Sequence, residues 1–566
     1  MLKNKELWSK IKCLIGIAVA LIFYGLNIDK PYLYSIIMGL LLGVEGKSER
    51  ILLATTLLLN SVLVIKYRIY IPEVVFCIYF GVMFIIKTMK DVSKYKGLQI
   101  GSVLLILSLC FSNIWYIQQE KMIKDPALEK AIRAKVKVYN RELTQNDLEK
   151  IKALEVENYN IRNIEGLQNL KNIESLKLYG GRIRAFAPLN KLSKLKKLEI
   201  REIDDFENIA NLKNLEELKV SIDGEHIKDI IKFTQLKKLS IDIDDLKDEK
   251  ELTSIGKLEK LEKLHIRLKG EIEDICFIKN LYNLKELYIR GNGIKDIASI
   301  GTLTNLEKLE VVESNIKDIS FIKNLKNLKT LDLSGNEIRD VIPLKNLKNL
   351  EKLDMAINYI EDLAPIKDLK DLEELNLSEN PIKDVKSIAN LTKIRILQIG
   401  GLERGEDETL GGAIQNIEAI GKLENLEALY ISQFGLEDLF WMENLKALKI
   451  LHLDKNNIKD VKPIGKLTKL KQIHLSENHI KDISSFRNLI NLEKLIIQHN
   501  NIEDIDALRN LKKLRILDLG YNDIKRVEPL KNHKNLEYIQ LGRNRIEDFT
   551  QIEDFIDVST FKWLQK

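Results

Sequence analysis

The chain is poor in the residues that staple, kink and catalyse. Four cysteines occur in 566 residues, and Cys13, Cys77 and Cys110 all fall in the first 117. Cys276 is alone in the remainder, so no intrachain disulfide can form there and stability must come from packing. That lack is compatible with a bacterial surface but does not decide the compartment. No Cys-x-x-Cys, His-Glu-x-x-His, Walker phosphate loop, Gly-x-Gly-x-x-Gly or Gly-x-Ser-x-Gly occurs. Redox, zincin, nucleotide and hydrolase chemistry therefore have no local signature, and neither an enzyme nor a cofactor is expected. A surplus of basic charge is missing too, once the chain is divided. The first 117 residues hold 13 of the 89 basic and 6 of the 83 acidic residues, leaving 76 against 77 for the rest. The overall +6 thus gives no basic face, and no nucleic-acid partner is expected.

Leucine at a fixed period is what the chain does have. The stretch Leu331-Asp332-Leu333-Ser334-Gly335-Asn336 is typical, and its first leucine recurs in 18 units, from Leu154 to Ile539, mostly 22 residues apart. Leu-x-Leu-x-x-Asn at this period marks a leucine-rich-repeat solenoid, an α/β fold with a parallel β-sheet on its concave face. One such strand cannot bury its apolar side alone, but stacked strands share a core. The Asn five residues on, as in Asn292, Asn336 and Asn478, can donate and accept at once, and reads as a structural ladder. An Asp nine residues after the first leucine, as in Asp296 and Asp482, reads as the N-cap of a short convex helix. Stacked carboxylates also suit calcium, but a preceding Lys or Arg competes in many units.

The register breaks once. Leu397 and Leu429 are 32 residues apart, an excess of ten that lies between Ile399 and Ile414. The insertion is glycine-rich and acidic, and carries Glu403, Arg404, Glu406 and Asp407. It is either a tolerated loop left by duplication or a binding loop on the rim.

Residues 1–117 are a different material, with five apolar runs, the last of them, Leu98 to Ile117, long enough for a membrane helix. They predict an all-α multi-span membrane region of five spans, or four. Lysine and arginine then number 10 on the inner side against 3 in the outer loops, which places the repeats outside the cell membrane. Loss of one span reverses this. Glu73 reads as interfacial. The remaining boundaries are a linker and helical cap at 118–150, the solenoid at 151–548 and a closing cap at 549–566.

Asp125-Pro126 opens a helix with Leu128 and Ile132 on one face, and Thr144-Gln-Asn-Asp147 has capping-box spacing. With these two helices, Asn163-Ile-Glu-Gly-Leu-Gln-Asn-Leu170 and units ending Ile-Lys-Asp-Ile, residues 125–548 resemble the internalin-like bacterial leucine-rich-repeat proteins. The resemblance implies a surface protein that binds another protein on its concave face. The chain departs from it in the multi-span start, and carries no Leu-Pro-x-Thr-Gly signal, so invasion of host cells is not implied.

Strand alternation faces His452 and His474 outward at one position, with Asp454 on the same side. Such a group can bind a transition metal or sense pH, but imidazoles on a strand are also ordinary contacts. The reading taken is ligand contact with no metal. Tyr430 faces outward one strand earlier, Phe434 replaces the ladder Asn, and Tyr288 is a further aromatic anchor. Together with the insertion these are the candidate ligand contacts. The function expected is non-enzymatic binding of a protein or other surface macromolecule, as a membrane-anchored receptor or adhesin. The alternatives are a cytosol-facing scaffold resembling phosphatase-regulatory leucine-rich subunits, or a membrane sensor or transport subunit. Neither the ligand nor the oligomeric state is legible.

Overall fold

The strand of each unit is fixed by two apolar residues flanking one that faces outward, and the next unit repeats the pattern beside it. The computed structural model describes residues 122–552, apart from 158–160, 180–182, 184, 204–205, 247, 295 and 402–413. A two-helix cap opens the described part. In α1 (Pro126–Val136) the carboxylate of Asp125 accepts from the N–H groups of Ala127 and Leu128, at 2.9 and 3.2 Å. Its other oxygen accepts from Arg162 at 3.1 Å, tying the cap to the first repeat. Burial works against that charge, but the backbone donors hold the carboxyl below its usual pKa. In α2 (Gln145–Glu149) Thr144 and Asp147 form the capping box, and Arg141 meets Asp147 at 2.6 Å. Leu128, Ile132 and Leu148 are buried.

Eighteen parallel strands follow, from β1 (Ala153–Val156) to β18 (Tyr538–Gln540), each hydrogen-bonded to the next. The first leucines stay in register throughout, from Leu154 opposite Leu176 to Leu517 opposite Ile539. The ladder column is buried. Asn478 Nδ2 lies 3.0 Å from the carbonyl of Leu453 and 3.1 Å from those of Leu475 and Ser476, and its Oδ1 accepts from Ile458 N–H at 3.0 Å. The ladder asparagines from Asn336 to Asn544 thereby satisfy the bend of their own unit and of the unit before. A second Asn column sits four residues before the first leucine. Asn283, Asn305, Asn327 and Asn349 donate to carbonyls of the preceding unit, at 2.9–3.0 Å.

Three expectations change. The far side of each unit is a 3-10 turn, as in Ala298–Thr302, and the α-helices described are only the two of the cap. Each Asp of the column accepts from the N–H two residues on, as Asp482 does from Ser484 at 2.8 Å. It makes a local Asx turn one residue ahead of the residue that caps the 3-10 turn, which is Ile483 in that unit. The all-α multi-span region is not supported: among the described residues no helix is long and apolar enough to cross a membrane. Residues 1–117 themselves lie outside the described residues, as do Phe555, Phe561 and Trp563 of the closing cap. At that end Phe549 and Ile552 are buried over the last repeat. Phe434 is 3% exposed, turned into the core at the ladder position, where its own N–H donates to Asn456. It offers a ligand no surface.

Candidate functional site

Parallel register, with no helix between the outward residues, builds columns of like position across the sheet. On β13 (Ala428–Ser432), β14 (Ile450–His452) and β15 (Gln472–His474), Tyr430 lies opposite His452 and His452 opposite His474. Their rings follow one another: Tyr430 and His452 centroids are 4.5 Å apart, and His452 and His474 stack at 3.7 Å with 16° between planes. Asp454 completes the group, its carboxylate 3.9 Å from His474 Nδ1 and bonded to Ser476 N–H at 2.7 Å.

Burial sets the charges here. Desolvation lowers the His452 pKa to about 4, aided by Lys494, and lowers that of His474 to about 3, aided by His452 and Lys494. Both imidazoles are therefore neutral at neutral pH. Burial pushes the Asp454 carboxyl upward against its bonds to Ser476. Nε2 of His474 is buried without a hydrogen-bond partner.

Tyr288 is brought to a different place. It stands on β7 (Glu286–Asn292), where its ring meets His265 at 3.9 Å over a groove of about 340 Å³. Lys177, Glu199, Lys219 and Glu310 line that groove, and the charges pair: Lys219 reaches Glu199 at 2.5 Å and Lys177 reaches Glu155 at 3.3 Å. The end of the sheet around Tyr430 is unlike it. The outward residues there include Ile396, Ile450, Ile496 and Ile516, all half-buried, and Tyr538, which is 50% exposed. Those isoleucines and His265 are surface residues that attention to aromatics and insertions overlooked. The signal was available, since they occupy the positions just before or after the first leucine of each unit.

The insertion leaves after β12 (Ile396–Gly400), whose pairing with β13 runs through Gly400 and Ser432. Gly401 N–H still reaches Ser432 carbonyl at 2.9 Å, and the chain rejoins at Gln415, which donates to Lys383 carbonyl at 2.7 Å. The excess is thus held to 402–413, and Glu403, Arg404, Glu406 and Asp407 lie outside the described residues.

A leucine-rich-repeat family model of two repeat copies matches residues 282–324, 326–368, 446–488, 490–532 and 512–554. Among solved structures, an internalin (inlF) from Listeria monocytogenes is 23% identical, with 77% of this chain and 94% of that one covered and a TM-score of 0.40. A leucine-rich-repeat protein of Leptospira interrogans is 24% identical, covering 72% and 94%, with a TM-score of 0.46. The plant peptide hormone receptor RGFR1, solved in complex with RGF2, is 20% identical, covering 69% and 74%, with a TM-score of 0.46. No curated protein matches the chain. These likenesses concern the fold, and no partner is carried over from them.

Proposed function

We propose that this leucine-rich-repeat protein is internalin-like and binds a macromolecule, without catalysis, on the open face of the sheet between β12 and β16 (Lys494–Ile496). The observation that carries this is the change in the face along the sheet. Near β7 its charges are paired with one another, whereas around Tyr430 it offers isoleucine, tyrosine and neutral imidazole side chains. Apolar and aromatic groups gathered on an otherwise polar surface are the usual centre of a protein interface. Paired surface charge favours a protein partner over a nucleic acid, which needs unpaired cations.

We place this face outside the cell, held at the membrane, as a receptor or adhesin. The support is the sequence alone: the apolar runs before residue 118 and the lysine and arginine bias between them. Protease added to intact cells tests sidedness, since a scaffold facing the cytosol leaves the repeats uncut. A photo-crosslinking amino acid at position 430 or 496, with one at 199 as control, tests the face. Adducts at 430 and 496 but not at 199 are expected. Adducts only at 199 move the site to the groove around Tyr288.

A further inference from the structure

We propose that His452, Asp454 and His474 form a site for a divalent transition-metal ion of the zinc class, held on the open face by two imidazoles and one carboxylate. One ligand atom from each of the three lies within 4.8 Å of the other two, and among the described residues no other group of three does so. Sequence order supplies the arrangement. His452 and His474 share a register position on neighbouring strands, and Asp454 is two residues beyond His452 on the same side.

The donor set is right for the ion. Neutral imidazole and carboxylate suit zinc, and three protein ligands leave a fourth position for water or a partner's side chain. Zinc holds such donors at about 2.0–2.2 Å, so neighbouring ligand atoms in a tetrahedron sit about 3.4 Å apart. The three atoms are therefore gathered but not yet closed, and side-chain rotation must draw them in by up to roughly 1.4 Å. Lone pairs lie in the imidazole plane, so His452 has to turn about χ2, out of its stack with His474. All three side chains are only partly buried, which leaves them that freedom.

Two comparisons within the molecule separate this group from a mere ring stack. His265 lies against Tyr288 at 3.9 Å with the rings tilted by 34°, and His499 stacks on Tyr521 at 4.0 Å, but among the described residues neither pair belongs to a three-ligand cluster. His474 also has a buried Nε2 that no protein group satisfies, while its Nδ1 faces the carboxylate. An ion held together with Asp454 binds at Nδ1, the nitrogen that faces the carboxylate, and fixes the proton of that ring on Nε2. Lys494 and Lys455 are the nearby cations and Glu477 the nearby anion, so the surrounding charge opposes a cation mildly. The site does not depend on the proposed partner, and can be tested without one.

The full-length protein, without a polyhistidine tag, is titrated with Co²⁺ as a visible probe and then with Zn²⁺. One Co²⁺ per chain is expected, with ligand-field absorption that Zn²⁺ abolishes. His452→Gln and His474→Gln each remove the signal, Asp454→Asn weakens binding by about tenfold or more, and His499→Gln leaves it unchanged. Circular dichroism confirms that each variant is folded; if His474→Gln is not, His452→Gln decides. No saturable uptake, or uptake that survives both histidine variants, overturns the proposal.

Discussion

Replacing Asn478 by leucine should destabilise the solenoid by about 1–3 kcal/mol while leaving its surface unchanged. The substitution keeps the branched heavy-atom skeleton and removes every polar contact. Asn478 is 4% exposed, so water cannot take over. The N–H of Ile458 loses its acceptor at 3.0 Å, and the carbonyls of Leu453 and Leu475 lose a donor at 3.0 and 3.1 Å. Asn456 and Asn500 still donate to those two carbonyls, so the Ile458 N–H is the one group left unpaired, and a buried unpaired polar group costs about 1–3 kcal/mol. The control is Asn457→Leu, one residue before the next core isoleucine, where the asparagine side chain is exposed and at most a few tenths of a kcal/mol are at stake. Asn315 is a poorer control, because its φ of 58° makes any leucine there unfavourable for a separate reason. Urea unfolding followed by circular dichroism reads both variants. Stability in stacked repeats is shared between neighbours, so the loss can appear as an early local transition instead of a shifted midpoint. Equal curves for Asn478→Leu and Asn457→Leu refute the ladder.

His533 is fully buried in the column that other units fill with leucine, its two ring nitrogens 3.2 and 3.0 Å from the carbonyls of Leu530 and Leu508; His533→Leu should raise thermal stability by about 1 kcal/mol, and an unchanged or lower melting temperature counts against a polar cost there. Ile357 is a β-branched residue at a φ of 58°, so Ile357→Asn should stabilise by about 1 kcal/mol in the same melt. The hydrogen bond from Arg141, and then that from Thr144, holds the Asp147 carboxyl well below its usual range. A depressed folded pKa stabilises above the unfolded carboxylate value, about 4, and fades as pH falls below it. The stability gap between the protein and Asp147→Asn should therefore be full at neutral pH and narrow in acid, and a gap independent of pH removes the ion pair from the account. A fragment from residue 120 to 566 should fold alone with a cooperative melt, whereas one starting at Asp125 should be weaker, because Ile123 is 1% exposed and Met122 carbonyl accepts from Asn169.

Why some of this was legible in the sequence follows from how repeats encode structure. A register repeated eighteen times averages out local noise, so the first leucines, the Asn column and the Asp column could be aligned by counting. The second Asn column is as regular in several units, yet it hides among exposed turn residues such as those around Asn283, where asparagine is common for other reasons. The helical pitch of the far side was not legible. An Asp before an apolar pair and a following proline announce a first helical turn, but whether the chain continues as α or 3-10 depends on the room that neighbouring units leave. The cap was legible because Asp125-Pro126 and Thr144–Asp147 are local signals, and both caps form as spelled.

The candidate site divides along the same line. Alternation alone placed Tyr430, His452, Asp454 and His474 on one surface, and parallel register then made them neighbours. Phe434 breaks the Asn rule in the next residues of the same unit, and looked like part of that surface for this reason. The two departures have opposite meanings. A substitution at an inward column must be absorbed by the core, as Phe434 is at 3% exposure, and its cost falls on the bend it fails to bridge. A substitution at an outward column costs the fold almost nothing, so what stands there is free to be set by a ligand. Broken rules in a repeat protein therefore point to function only when they lie in columns that face out. By that criterion the stacked imidazoles and the isoleucines beside them, not the missing ladder asparagine, mark the surface on which a partner should be sought.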